Sequence, residues 1–173
     1  MEKERYVFIL LTKYSDNFSQ MILTLVQGYY SHASIGFDDE KGRFYSFTRR
    51  GFHVEEPEKI CRKRRNVQCA LYKIAVSHTA YVSMRSYLEH HYKSNADWKF
   101  NIIGVFLGVA RFPFLKRSRK RFCSQFVAEI LEVGKEVNLH KRSSVFFPDD
   151  FVKIGVAEPQ FLGTLEGLAE CAY

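Results

Sequence analysis

The chain has 173 residues, 46% hydrophobic and 16% aromatic, and its 26 Lys and Arg against 19 Asp and Glu give a formal charge of +7. That size and apolarity support one domain with a sizeable core and exclude an intrinsically disordered chain. The basic balance permits an anionic partner, and no apolar run approaches the ~18 residues of a membrane-spanning helix.

The four cysteines, Cys61, Cys69, Cys123 and Cys171, show neither disulfide-framework nor zinc-knuckle spacing. The N-terminus, Met1-Glu2-Lys3-Glu4-Arg5, starts with mixed charges and leads into a strand-like run without a small-residue cleavage site. These features predict a single domain over residues 1–173 in a reducing cytoplasm, with no metal and no cofactor.

Arg5 to Thr12 is a continuous apolar run and reads as a buried strand. Ser15 or Asp16 then caps a helix through about Gln27, with Phe18, Met21, Ile22, Leu25 and Val26 on its inner face and Gly28 ending it. From Tyr30 to Phe37, Ala33, Ile35 and Phe37 alternate with His32, Ser34 and Gly36, which predicts a strand with one apolar and one small or polar face. Asp38 to Gly42 supplies a hairpin turn, and Arg43 to Thr48 returns as the partner strand. Two registers fit, one placing His32 opposite Ser46 and the other opposite Thr48.

Arg49 to Pro57 reads as an irregular edge or short strand, Cys61 to Arg65 as a basic loop, and Val67 to Val76 as another strand. Ser77 caps a helix with Tyr81, Met84, Leu88, His91 and Tyr92 on one face. His90 and His91 are adjacent, point about 100° apart, and are poor co-ligands. Trp98 to Ala110 is a short apolar segment in which Gly104 and Gly108 permit close helix packing, followed by a loop through Arg121. Pro148 opens one more helical turn, and Phe161 to Tyr173 is expected to form an edge strand.

The stretch that organises the rest is Arg121-Phe122-Cys123-Ser124-Gln125-Phe126. Phe122, Phe126 and Ile130, with Val127 and Leu131, form one apolar helix face, and Gly134 stands where a C-terminal cap would. Cys123 therefore sits in the first turn, whose unpaired N–H groups and positive dipole end favour a thiolate. The run Lys116 to Arg121 adds positive charge upstream. A structural thiol is the competing reading of Cys123, and an ordinary surface or core group that of His32. Together the two residues are the minimum for nucleophilic thiol chemistry: thiolate attack on a carbonyl, proton donation by imidazolium, and backbone N–H groups for the oxyanion.

Tyr30-Ser31-His32-Ala33-Ser34-Ile35, Tyr45-Ser46-Phe47, Phe122-Cys123-Ser124-Gln125-Phe126-Val127 and Phe147-Pro148-Asp149-Asp150-Phe151 resemble the circularly permuted branch of the NlpC-type papain-like cysteine hydrolases, which includes lecithin:retinol acyltransferase-like enzymes. His32 precedes Cys123, the permuted order, and the resemblance spans roughly residues 5 to 152. It implies a compact α+β domain with an antiparallel sheet packed against the cysteine helix, and an amidase, peptidase or acyltransferase working through an acyl-enzyme. It makes Cys123 the nucleophile and His32 the base, and puts the orienting position at Ser46, where many relatives carry Glu, His, Asn or Gln. A hydroxyl there accepts from imidazole but does not stabilise imidazolium as a carboxylate does. Tyr45 and Thr48 are weaker candidates for that role, Tyr14 is an oxyanion candidate, and Ser124 joins them as a candidate for substrate binding.

The Ser46 departure leaves a second reading open, a weakly active or inactive papain-like binding module. A third, nucleic-acid binding through Arg62–Arg65 and Lys116–Arg121, is disfavoured because neither run has interleaved aromatics for base stacking. Lys116–Arg121 is better matched to an acidic substrate group or an anionic membrane surface, or is a solvated loop. Peptide, cell-wall peptide, fatty amide and phospholipid ester substrates all fit a Cys–His site. The expectation is an intracellular amide or ester.

Overall fold

A computed structural model describes residues 4–48, 50–93, 99–100 and 120–171. Of the sequence-based expectations, the apolar segment over Trp98–Ala110 apart from Lys99–Phe100, and the basic run from Lys116 to Arg119, lie outside the described residues.

The chain runs β1 (Arg5–Lys13), α1 (Asn17–Val26), β2 (His32–Phe37), β3 (Phe44–Thr48), β4 (Gly51–Glu55), α2 (Pro57–Cys61), β5 (Gln68–Val76) and α3 (His78–Tyr87). A π-helical turn at Leu88–Lys93 and the short strands β6 (Lys99–Phe100) and β7 (Lys120–Arg121) lead to α4 (Cys123–Gly134). Two 3-10 turns, Ser143–Val145 and Pro148–Lys153, then β8 (Glu158–Thr164) and α5 (Leu165–Glu170) complete it. Six strands form one sheet in the order β4-β3-β2-β1-β5-β8, antiparallel throughout, and β6 pairs with β7 in parallel. The fold is α+β, with α4 packed against β2, β3 and α3.

β1 is central and covered on both sides, which is why it reads as an unbroken apolar run. Val7, Ile9 and Leu11 join Ala33, Ile35, Phe37, Phe126 and Ile130 in the main core, whereas Leu10 joins Phe44, Leu71, Leu165 and Leu168 in a second. Phe126, Val127, Ala128, Ile130 and Leu131 of α4 are fully buried, and burying a large apolar side chain contributes about 1.5–3 kcal/mol. The Phe126 ring centroid lies 4.7 Å from that of Tyr92, 5.3 Å from Phe47 and 5.9 Å from Phe52. This aromatic cluster fixes the cysteine helix against the β3–β4 hairpin.

Several local expectations change. Asp16 does cap α1, accepting from Ser19 N–H at 3.1 Å, but the buried face is Ser19, Ile22 and Leu23, and Met21 is exposed. Phe18, Ile22 and Val26 face inward as the spacing predicts, packing with Phe122 at the entry to α4, whereas Leu23 takes a buried place the spacing did not assign to it. The helix ends at Gln27 in the left-handed region, and the task of Gly28 is close packing: a Cβ there would collide with the Asp149 carboxylate. That carboxylate accepts from Tyr29 N–H at 3.0 Å and Tyr30 N–H at 3.2 Å, pinning the chain just before β2.

The stretch at Cys61 is partly helical, and the last strand ends at Thr164 instead of continuing to the C-terminus. Thr164 caps α5 by accepting from Gly167 N–H, which turns Leu165 and Leu168 into the second core. On α3 and its π turn, Tyr81, Met84, Leu88 and Tyr92 are buried together as the spacing predicts. His90 is exposed.

Candidate active site

Cys123 is the first residue of α4 and only 6% exposed. Phe122, the N-cap, is extended at φ −109° and ψ 164°, and its phenyl ring has no atom that can accept from the first turn. The N–H groups that most helices satisfy with a Ser or Asp cap therefore have no capping side chain next to the sulfur. The approach to the helix is braced by Glu129. Its Oε2 accepts from Arg121 Nε at 2.7 Å and from the Tyr92 hydroxyl at 2.8 Å, and its Oε1 accepts from Gln125 Nε2 at 3.0 Å.

His32 opens β2, opposite Thr12 of β1, and is 8% exposed. Ser31 ties the two strands together, donating its N–H to Thr12 O at 3.0 Å while its Oγ accepts from Tyr14 N–H at 2.9 Å. The ring Nε2 of His32 donates to Glu55 Oε1 at 2.8 Å. Glu55 ends β4 and is 6% exposed, and its other oxygen, Oε2, has no protein partner among the described residues. The Cys123 sulfur lies close enough to the His32 ring to act on its charge, and with Nε2 committed to Glu55 the nitrogen left for it is Nδ1. Burial works against a charged ring, but the Glu55 carboxylate and the Cys123 sulfur outweigh it and hold the His32 pKa well above its usual value. The arrangement favours imidazolium between two groups that stabilise it.

Ser46 does not hold the imidazole. Its hydroxyl donates to Ala33 O at 2.7 Å within the sheet, and the carboxylate on His32 comes instead from Glu55, one strand further out. The β2–β3 pairing joins Ile35 to Tyr45 and Gly36 to Phe44, the register that, carried along the strands, sets His32 beside Thr48. Glu55 pairs with Phe44 at the opposite end of β3 from Thr48, yet its carboxylate reaches His32. The meander is therefore curled, and flat-register reasoning misplaces Glu55. The available signal was the alternation Gly51-Phe52-His53-Val54-Glu55, in which Phe52 and Val54 pack on the main core and Glu55 is left for the opposite face.

The other sequence candidates divide. Tyr14 lines the cleft, its ring centroid 5.7 Å from that of His32; burial and then the Glu55 charge raise its pKa, so it stays a protonated donor. Thr48 also lines the cleft, and its hydroxyl accepts from Arg50 N–H at 3.2 Å. Tyr45 is fully buried, with its hydroxyl on Glu40, and Ser124 is fully buried, donating to Phe146 O at 2.6 Å. Both serve the scaffold and do not line the cleft.

Cys123, His32 and Glu55 open into a cleft of about 710 Å³ whose apolar wall includes Phe18, Ile22, Phe47 and Val54. All four cysteines are free thiols, Cys69 buried and Cys171 exposed. Burial pushes the Cys69 thiol up to about 12, which makes it inert. No helix among the described residues is long and apolar enough to cross a membrane. No protein-family model matches the chain, and comparison with curated proteins gives no match.

Proposed function

We propose that this protein is a thiol hydrolase, of amidase or peptidase type, or an acyltransferase, in which Cys123 is the nucleophile, His32 the acid–base and Glu55 the orienting carboxylate. One observation carries the reading: a buried imidazole held by Glu55 at 2.8 Å in the same cleft as a cysteine that starts a helix without a side-chain cap and acts on the ring's charge. Nucleophile, base and orienting group in sequence are the recurring arrangement of acyl-transfer sites. The permuted papain-like fold, with the histidine strand preceding the cysteine helix, belongs to the same proposal, as does an amide or ester substrate of peptide, small-molecule or lipid-like kind.

In this mechanism the Cys123 thiolate attacks the substrate carbonyl carbon, and the carbonyl electron pair moves onto oxygen. The N–H groups at the start of α4 and the Tyr14 hydroxyl are the donors near that oxyanion. Collapse expels the leaving nitrogen or oxygen, which takes a proton from His32 Nδ1, and leaves a thioester on Cys123. Water, or an acceptor alcohol or amine, then attacks the thioester as Nδ1 takes back a proton, releasing product and restoring the thiolate beside imidazolium. Glu55 keeps Nε2 protonated and stabilises the ring charge throughout.

The test is to trap the acyl-enzyme. A panel of p-nitrophenyl esters and amino-acid p-nitroanilides, followed by intact-mass and peptide mass spectrometry, is expected to place an acyl mass on Cys123 with a burst of nitrophenolate or nitroaniline. Cys123→Ala should abolish both. An inert Cys123 across the panel would favour the second reading, a papain-like binding module. The cleft itself supports that alternative, because a pocket of this size binds without chemistry equally well.

A further inference from the structure

We infer that the substrate of this site carries an oxyanion, a carboxylate or phosphate, seated on Arg50 and Lys63 beside the thiol; the inference rests on the proposed function and names the substrate's charge. The charges that line the cleft are unequal once their pairs are removed. Asp16 is taken by Arg64 at 3.0 Å, Glu56 by Lys59 at 2.8 Å and Glu55 by His32 at 2.8 Å. Arg50 and Lys63 line the same cleft, and neither has an ion pair among the described residues. They come from two separate tied turns: Arg50 N–H donates to Thr48 Oγ1 at 3.2 Å, and Lys63 N–H donates to Ile60 O at 2.9 Å.

Two cations on held backbone at the mouth of a cleft focus a positive field on it. Charge runs are often solvated rims. Here the surplus faces the cleft that contains Cys123, beside an apolar wall of Phe18, Ile22, Phe47 and Ile60. The chemistry that matches both features is an amide or ester with an apolar body and one anionic group near the scissile bond.

The probe is iodoacetate against its neutral counterpart iodoacetamide, which transfer the same carbon to sulfur and release iodide. Rates at Cys123 are read by peptide mass spectrometry, separately from the other cysteines, and the rate ratio is normalised to 2-mercaptoethanol. A surplus of two cations lining the cleft predicts an iodoacetate preference of severalfold at low salt, collapsing in about 0.5 M NaCl. The preference should be lost in the Arg50→Gln/Lys63→Gln variant, whose changes lie on exposed side chains. Stronger protection by inorganic phosphate than by acetate at matched ionic strength assigns a phosphate, and the reverse assigns a carboxylate. A ratio equal to that of 2-mercaptoethanol, or one unchanged in the double variant, overturns the inference while fast iodoacetamide alkylation leaves the proposed function standing. A Cys123 inert to iodoacetamide overturns both.

Discussion

With Nε2 of His32 on Glu55 and Nδ1 toward Cys123, the ring donates on both sides when charged, and removing either neighbour has a distinct consequence. Glu55→Gln keeps a hydrogen-bonding group but removes the charge that stabilises imidazolium. It should cut acylation at Cys123 by about 10²–10⁴-fold, the usual range for a positioned acid–base contribution. Ser46→Ala leaves the imidazole contact intact and loses only a strand hydrogen bond, so activity should change less than about threefold, with a stability cost of about 1 kcal/mol. Comparing the two variants with an acylating ester decides which residue orients His32. At this scale the sequence showed Cys123 and His32 because each sits in a short, chemically marked context. Glu55 was hidden because its strand partner Phe44 lies four residues along β3 from Thr48, the residue that the register sets beside His32, and because the family resemblance put the orienting position at Ser46.

The elements place these residues through contacts of different strength. α4 was legible from its own five-residue apolar pattern, since that face is fully buried and little competes with it. α1 was legible as a helix and in most of its inner face, since Phe18, Ile22 and Val26 pack with Phe122, but Met21 is exposed and Leu23 is buried in its stead. Phe126→Ala removes the ring that touches Phe47, Phe52 and Tyr92 and should cost about 3–5 kcal/mol in urea unfolding. Asp16→Ala removes the α1 cap and should cost about 1 kcal/mol, leaving the midpoint shift without a change in slope. A Phe126 variant as stable as the native chain would mean that the aromatic cluster does not hold the cysteine helix.

For the whole molecule, the coupled titrations set how stability follows pH. His32 has a folded-state pKa above its unfolded value near 6.5, so its contribution is fully present below that value and is lost as pH rises through the raised one. Glu40 moves the other way. The Arg85 guanidinium, with help from Tyr45, lowers its carboxyl to about 2, so its contribution is present above about 4.5 and is lost as pH falls through about 2. Urea unfolding should therefore show the gap between the native chain and His32→Ala at its widest below about pH 6.5 and shrinking as the pH is raised above it. The gap between the native chain and Glu40→Gln should shrink from pH 5 to pH 2. The α+β architecture was readable because strand alternation and helix spacing agree with burial along most of the chain. The six-strand order was not, because β5 and β8 join the sheet by long-range pairings that local patterns do not record.

The most direct test of the central claim, a working pair of Cys123 and His32, is the rate of iodoacetamide alkylation at pH 6, with the exposed Cys171 as internal reference. An ordinary thiol is only about 0.3% ionised there, given a pKa near 8.5. Cys123 should react about 100-fold faster than Cys171 in the native chain and lose that advantage in a folded His32→Ala variant. A Cys123 no faster than Cys171, or one indifferent to His32, would contradict that claim.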